Sequence, residues 1–445
     1  MNFDQTIYAL ASGAGRCGVA VIRLSGPHAL DVLCKLSNKD IFKPRYAHRV
    51  NLVDPLTGDQ LDDGLALYFP GPNSFTGEDV VELQIHGGRA VVQSVQEALA
   101  SFDGLRLAEP GEFTRRAFEN DKMDLTAAEG LADLIHAETR AQAKQALRQM
   151  DGALGSLYND WADRILHVLA HFEAVIDFPD EDLPEEVEQG VRAKVDVLKG
   201  EIEDHLKDGH RGEMLRDGVR LAIVGPPNAG KSSLLNHLAK REVAIVSDIA
   251  GTTRDVIESH LDIGGYPVVV SDTAGIRHSD DVIEVEGIRR AQTTAQQADL
   301  KVVLFDSSDW PDLDGKTLDL IDEDCLLVFN KIDKADKPDI TDVKGITPLY
   351  MSAKSGEGLS DFFKALEKEV AERCMMTGAP ALTRARHREA LEDCVEALNR
   401  FDQIDLPELA AEDLRMATRS LGRITGRIDV EDVLDIVFSD FCIGK

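Results

Sequence analysis

Residues 225–232 read Gly225-Pro226-Pro227-Asn228-Ala229-Gly230-Lys231-Ser232, and no other stretch restricts the fold of this chain as tightly. The run fits G-x-x-x-x-G-K-[ST], a loop whose backbone N–H groups wrap phosphates while Lys231 reaches the outer oxygens and Ser232 holds Mg²⁺. Such a loop needs a strand ending in it and a helix starting from it, because the helix N-terminus supplies part of the positive field. Both contexts are present: Leu221 to Val224 is an apolar strand, and a helix is predicted from Ser232, with Ser233 in its first turn.

The loop alone leaves ATP and GTP undecided. Three later segments, in order, settle the base. Asp272-Thr273-Ala274-Gly275 follows a second apolar strand, Val268 to Val270, which sets a carboxylate beside Mg²⁺ at a strand's carboxyl end. Asn330-Lys331-Ile332-Asp333 closes a third, Cys325 to Phe329; Asp333 can accept from the N1 and N2 hydrogens that guanine has and adenine lacks. Ser352-Ala353-Lys354 supplies a loop to cover the base. The expected nucleotide site is therefore Asn228, Ala229, Gly230, Lys231, Ser232 and Ser233 with these three segments, and the nucleotide is GTP. After Gly275 stands Ile276, where Ras-like GTPases carry the Gln that orients the attacking water. Asp280, Asp281, Glu284 and Glu286 are the acids within reach in sequence, and spacing alone does not choose among them.

The 445 residues suffice for two to four domains. No stretch approaches 18 uninterrupted apolar residues, and Met1-Asn2-Phe3-Asp4 opens with an acid where a secretory signal carries positive charge. The six cysteines, at 17, 34, 325, 374, 394 and 442, form no C-x-x-C pair, so a reducing, cytoplasmic setting away from membranes is expected. The net charge of −31 argues against a broad sequence-blind grip on nucleic acid. Local patches or a partner must hold any RNA.

Along the chain the pattern changes three times. Residues 1–118 alternate short apolar runs (Val19 to Leu24, Leu65 to Phe69, Val80 to Ile85) with turn signals, as a small α+β domain does. Residues 119–215 are helical in pattern, residues 216–376 form the nucleotide domain, and helix resumes over 377–445. The expected architecture is thus multidomain α/β, with a P-loop GTPase domain inserted into a helical domain and a small domain in front. Between Glu173 and Glu188 lie eight acids and two prolines with no Lys or Arg. That segment reads as a solvated loop joining two helices.

Other motifs yield to plainer readings. Gly13-Ala14-Gly15-Arg16-Cys17-Gly18 fits G-x-G-x-x-G, but Val19 to Leu24 reads as a strand rather than the helix that a dinucleotide site needs. Cys442-Ile443-Gly444-Lys445 imitates a prenylation box with the wrong residues at its last two positions. Arg415, Arg419, Arg423 and Arg427 recur every four residues, either a tRNA or partner face or a solvated stripe.

The P-loop with Asn228, the segment Asp248-Ile249-Ala250-Gly251-Thr252-Thr253-Arg254-Asp255, the segment Ala108-Glu109-Pro110-Gly111-Glu112-Phe113-Thr114-Arg115-Arg116-Ala117-Phe118 and the end Phe441-Cys442-Ile443-Gly444-Lys445 together resemble the MnmE (TrmE) family of tRNA modification GTPases. The resemblance spans all zones and both ends. It implies a tetrahydrofolate-binding first domain, a homodimer, and work alongside an FAD protein of the MnmG type to build a carboxymethylaminomethyl or aminomethyl group on C5 of the tRNA wobble uridine. Carried over by position, it implies K⁺ held by Asn228, Ser247, Ile249 and Thr252, and Mg²⁺ held by Ser232 and Thr253. Glu284 would orient the water, since Gly287-Ile288 matches the family's following Gly-Ile. The folate, such as 5-formyltetrahydrofolate, would meet Arg23, Glu82, Lys122 and Lys445. Cys17, Glu119, Asp121 and Ala127 depart from the family pattern, which carries Gly, Leu, Gly and Gln there, and these departures bear on the shape of the folate pocket. The alternative, an Era-like ribosome-assembly GTPase switch, requires a KH domain with a G-x-x-G loop after the nucleotide domain. Nothing after residue 375 resembles one.

Overall fold

The structure is a computed structural model. It describes residues 4–13, 15–177, 185–241, 258–271, 295–335, 337–338, 340–375, 380–403 and 406–428, together with Leu434, Val437, Phe438, Phe441 and Gly444. The chain forms two compact units: residues 1–132, 149–170 and 414–445 in the first, and 133–148 and 171–413 in the second.

In the first unit, strands β1 (Thr6–Leu10), β2 (Cys17–Ser25), β3 (His48–Val53), β4 (Gln60–Phe69), β5 (Val80–Gly87) and β6 (Leu105–Leu107) form one sheet in the order β3-β4-β5-β2-β1-β6. All neighbours are antiparallel except β1 and β6. The two-residue period sends Tyr8, Ala20, Ile22 and Leu24 to one face, where helices α1 (Ala29–Ser37) and α2 (Arg89–Ala100) cover them with Val32, Leu33, Leu36, Val95 and Leu99. Ile7 and Ala9 point the other way, against Phe113 of helix α3 (Glu112–Glu119). Because β2 is a strand, the G-x-G-x-x-G run at 13–18 leads into sheet, as its sequence context requires. The C-terminal segment belongs to this unit: Val437, Phe438 and Phe441 pack on Leu125 and Ala128 of helix α4 (Leu125–His136).

The second unit carries a six-stranded sheet in the order β12-β11-β10-β7-β9-β8. Its strands are β7 (Val219–Val224), β8 (Glu258–Ile263), β9 (Tyr266–Ser271), β10 (Leu300–Asp306), β11 (Cys325–Asn330) and β12 (Leu349–Tyr350). All pairs are parallel except β8 with β9. Every residue of β10 except Asp306 is buried, as a parallel sheet covered on both faces demands. Leu300, Val302 and Leu304 face Leu359, Phe362, Phe363 and Leu366 of the helix Leu359–Cys374; Val303 and Phe305 face Ala222, Val224 and Phe329. Helices α5 (Arg140–Met150), α6 (Ala153–Asp177) and α7 (Glu185–Asp217) precede this sheet, and α8 (Lys231–Arg241) follows β7, starting one residue earlier than predicted. At its ends the acidic stretch 173–188 departs from the loop reading, since residues 173–177 belong to α6 and 185–188 to α7; residues 178–184, between the two helices, lie outside the described residues.

Helix α7 packs on the later helix Ala385–Gln403, and Val195, Leu198 and Ile202 of the one and Leu391, Cys394 and Leu398 of the other are buried. A bidentate pair from Arg388 to Glu213, at 3.1 and 2.8 Å, ties the two together. His205 is buried there, and burial together with the neighbouring His387 pushes its pKa from 6.5 to about 4. Between those values the unfolded chain holds a proton that the folded chain excludes. Stability is therefore fully present above about pH 6.5 and falls as pH drops toward 4, by on the order of 3 kcal/mol. Denaturant midpoints measured at pH 7.5 and pH 5.0 should separate in that direction. His205→Gln should flatten the slope, whatever it does to stability at pH 7.5.

Candidate functional site

Strands β7, β9, β10 and β11 run parallel and end on one edge of the second sheet, and the strand order reverses around β7. The P-loop leaves β7. Asn228 adopts φ 64°, a left-handed turn that Asn tolerates, and its side chain is exposed. Gly230 at φ 106° has no alternative, because a Cβ there would overlap the Asn330 Nδ2. Lys231 Nζ donates to the carbonyls of Gly225 (2.8 Å) and Pro226 (2.9 Å), and burial pushes its pKa below the ordinary lysine value. Ser232 and Ser233 lie exposed at the start of α8.

Asn330, 2% exposed, closes the opposite side. Its Nδ2 donates to the Ala229 carbonyl at 2.7 Å, and its Oδ1 accepts the Ala353 N–H at 2.9 Å. One carboxamide thus joins the P-loop to the Ser352-Ala353-Lys354 loop. Lys331, at φ 65°, sends its ammonium to Asp306 Oδ2 at 2.6 Å. Burial pulls Asp306 up, but the Lys331 and Ser308 hydrogen bonds outweigh it and hold the carboxyl below its usual range. Ser352 Oγ donates to Asp333 Oδ1 at 2.6 Å, and that bond holds the exposed Asp333 carboxyl below its usual range. Asp333 is thereby an anionic acceptor on the rim, suited to a pair of neighbouring N–H donors. Lys354 is exposed beside it.

Three contributors were not picked out from sequence. Asp306 and Ser307, whose hydroxyl donates to the Asn330 carbonyl at 2.8 Å, end the apolar strand β10, and their place at a strand's carboxyl end was an available signal. His237 of α8 hydrogen-bonds the Ala353 carbonyl at 2.6 Å, and no sequence pattern marks it. Ser247, Ile249, Thr252, Thr253, Asp272, Thr273, Ala274, Gly275 and Glu284 lie outside the described residues.

A second group gathers on the first sheet. Arg23 and Glu82 are cross-strand partners on β2 and β5, and Arg23 donates through Nε (3.1 Å) and Nη2 (2.9 Å) to Glu82 Oε1. The guanidinium carbon lies 5.6 Å from the Phe75 ring centre and 5.8 Å from that of Phe113. Lys122 is exposed, and its Cε would stand 3.0 Å from a Cβ at Gly77, so it lies along that turn. Asn120 fastens the same segment by donating to the Thr76 carbonyl at 2.7 Å. Asp121, where the family pattern has Gly, takes φ 54°, a conformation that Asp bears at modest cost. Of the other departures, Cys17 is exposed and its thiol donates to the Val19 carbonyl at 3.0 Å, Glu119 accepts from Arg115 at 3.2 Å, and Ala127 is buried. Gly444, buried at φ 103°, packs on Leu10 so closely that a Cβ would overlap the Leu10 carbonyl. Lys445 lies outside the described residues. Among the described residues no helix is long and apolar enough to cross a membrane.

A parallel sheet with a P-loop after β7 and a carboxamide-clipped Asn-Lys-x-Asp loop defines a P-loop GTPase. The remainder of the chain says which. A model of the MnmE helical domain matches residues 125–442, and a model of the GTP-binding protein TrmE N-terminus matches residues 6–122. The tRNA modification GTPase MnmE of Paramagnetospirillum magneticum is 54% identical over 442 residues, 99% of this chain and 100% of that protein. Those of Parvibaculum lavamentivorans (54%) and Rickettsia bellii (48%) also cover 99% of this chain and 100% of their own length. Among solved structures, the G domain of the T. maritima FeoB iron transporter is 24% identical, covering 35% of this chain and 99% of its own length at a TM-score of 0.26. The chain belongs to the MnmE (TrmE) family of tRNA modification GTPases.

The Asn330 clip predicts two separable losses. Asn330→Ala strands a buried carbonyl and a buried amide, each worth about 1–3 kcal/mol, so GDP affinity and the nucleotide-free melting temperature should both fall. Ser352→Ala removes one donor to an exposed carboxylate. It should weaken GDP about fivefold, the equivalent of roughly 1 kcal/mol, with little change in melting temperature. Calorimetric titration and thermal unfolding of both variants check the distinction.

Proposed function

We propose that this GTPase acts on the wobble uridine of tRNA, drawing a one-carbon unit from a tetrahydrofolate held by its first domain and working with an FAD protein of the MnmG type. The observation that carries the reading is the composition of the first unit. There Arg23, paired with Glu82, has its guanidinium carbon 5.6 and 5.8 Å from the Phe75 and Phe113 ring centres, on the unit in which the chain's own end packs at Leu10. A guanidinium beside aromatic rings suits an anionic, ring-bearing ligand. Glu82 can accept the amino and ring N–H groups of a pterin, while Arg23 and Lys122 suit its carboxylate tail or ring oxygen. Lys445 is proposed as the fourth contact, Cys442 to Lys445 as a docking tail, and a homodimer as the working unit. The proposed boundaries remain 1–118, 119–215, 216–376 and 377–445, in a cytoplasmic protein.

In the nucleotide domain, Lys231 exchanges its loop carbonyls for phosphate oxygens, a favourable trade for a partly buried ammonium. Ser232 and the proposed Thr253 offer hydroxyls of the kind that Mg²⁺ prefers. The exposed Asn228 side chain, with Ser247, Ile249 and Thr252, offers the oxygens of a K⁺ site. An ion there would supply the positive charge that an arginine finger supplies elsewhere, a role worth about 10³–10⁵ in rate. Glu284 is proposed to orient the attacking water, since the Ile276 side chain has no hydrogen-bonding group. Asp333 selects guanine.

Nucleoside analysis of tRNA from a strain lacking the gene tests the reaction, with loss of the C5 substituent on the wobble uridine expected and unchanged wobble uridines overturning the reading. Titration with 5-formyltetrahydrofolate tests the folate face. Arg23→Ala and Lys122→Ala should each weaken binding by about 1–3 kcal/mol, the usual loss of a charge-assisted hydrogen bond.

The ion assignment has its own test. GTP hydrolysis should be faster in KCl than in NaCl at equal ionic strength, and Asn228→Ala should erase the difference. Glu284→Ala should lose most hydrolysis while binding GTP and GDP as before. Equal rates in the two salts would reassign Asn228.

A further inference from the structure

The hairpin β8–β9 has an unusual position in the chain. In sequence it joins the segment carrying Thr252 and Thr253 to the one carrying Asp272 to Gly275, so both of its ends lead into nucleotide motifs. Its tip is stiff. Gly264 and Gly265 both take positive φ (61° and 91°) in a two-residue turn closed by the Ile263–Tyr266 pair, and Asp262 Oδ1 accepts the Gly265 N–H at 2.7 Å.

That tip docks on the elbow between α4 and α5. Thr139 and Gln142 cap α5 reciprocally: the Gln142 carboxamide oxygen accepts the Thr139 N–H at 3.0 Å, and Thr139 Oγ1 accepts the Gln142 N–H at 3.3 Å. Ala141, the second helical residue, has an N–H that no turn of its own helix can satisfy. It donates to the Gly265 carbonyl at 3.2 Å. Three residues before Ile263, His260 Nδ1 lies 3.5 Å from Glu138 Oε2.

The same elbow is fixed to the end of α7, which leads into β7 and the P-loop. Gln142 Nε2 donates to the Arg216 carbonyl at 2.8 Å, and Arg216 Nε and Arg384 Nη2 both reach Asp133 Oδ1, at 3.1 and 2.7 Å. Gly218 then turns at φ 94° into β7. Beside these bonds lies a cavity of about 140 Å³ lined by Asp133, His136, Gln142, Gln145, Arg216 and Asp217, which leaves the elbow room to rearrange. The two attachments differ in freedom. β9 is laddered to β7 from Val219 to Ala222, whereas among the described residues β8 pairs with β9 alone. A pull on the residues before Glu258 can therefore splay β8, and with it His260, while the Gly265 contact acts as the fulcrum.

We propose that the β8–β9 hairpin is the relay by which the bound nucleotide is sensed in the helical segment, through the Ala141–Gly265 and His260–Glu138 contacts. The inference rests on the GTPase reading, since γ-phosphate contacts order the segments flanking such a hairpin. None of these four residues belongs to the nucleotide site.

Amide hydrogen exchange over residues 138–145 of the full chain tests it, with GDP alone compared to GDP plus aluminium fluoride and Mg²⁺ in KCl. Exchange at the Ala141 amide should differ about tenfold between the two states, within the range of ordinary coupling. In the double variant His260→Ala, Glu138→Ala the difference should shrink to within twofold. GDP affinity and basal hydrolysis should stay at wild-type levels, and modified wobble uridine in cells should fall. A wild-type chain that binds GDP tightly yet exchanges identically in both states overturns the relay and leaves the GTPase assignment standing. So does a double variant that keeps both the tenfold difference and full tRNA modification.

Discussion

The Asn330 carboxamide donates to the Ala229 carbonyl and accepts from the Ala353 amide at 2% exposure, and much of the second unit is arranged to make those two bonds possible. A buried amide is stable only when its donors and acceptors are met, so the loops after β7, β11 and β12 must arrive at fixed separations. The parallel register of β10 against β7 and β11 delivers them there. Gly230 must lack a side chain because Asn330 Nδ2 occupies the space, and Ser307 holds Asn330 from behind. The rim that recognises the nucleotide is thus a consequence of sheet packing.

The first unit relies on a different device. Arg116, with no exposed surface, donates to Glu112 at 3.0 Å, to Glu78 at 3.0 Å and to the Gln5 carbonyl at 3.0 Å, and Arg106 grips the other side of Glu112. Burial pulls the Glu112 carboxyl up, but these partners outweigh it and hold it below the usual range. A buried charge cluster of this kind does more for geometry than for net stability. It sets α3, and therefore Phe113, over the sheet face that carries Arg23 and Glu82. Within the Glu112-Phe113-Thr114-Arg115-Arg116 run, Glu112 and Arg116 depend on each other: removing either takes a charged partner from the other, and both are fully buried.

The strands that the sequence displays most openly, Leu221 to Val224, Val268 to Val270 and Cys325 to Phe329, all lie within β7, β9 and β11, because a strand buried on both faces is written as a continuous apolar run. β6 gave a weaker signal, since a three-residue strand is too short to show a period. At the ends of the acidic stretch, 173–177 and 185–188, composition reads as loop although the backbone is helical, because a charged residue is compatible with either.

What the sequence displayed by itself was motif chemistry: a phosphate loop, an Asn-Lys-x-Asp segment whose aspartate is proposed to read guanine, and a family resemblance carried by segments from the first domain to the C-terminal Phe441-Cys442-Ile443-Gly444-Lys445. Motif residues act through backbone geometry at fixed spacing, and spacing survives in one dimension. The tertiary structure decided which partners those residues have. Arg23 meets Glu82 only because β2 and β5 pair in one register, and Gly444 reaches Leu10 only because the C-terminal segment finds an apolar seat on α4. Ala141 needs the Gly265 carbonyl because a helix start leaves an N–H unmet. Contacts between residues tens to hundreds of positions apart depend on strand register and side-chain volume, and neither is written in any local stretch of chain.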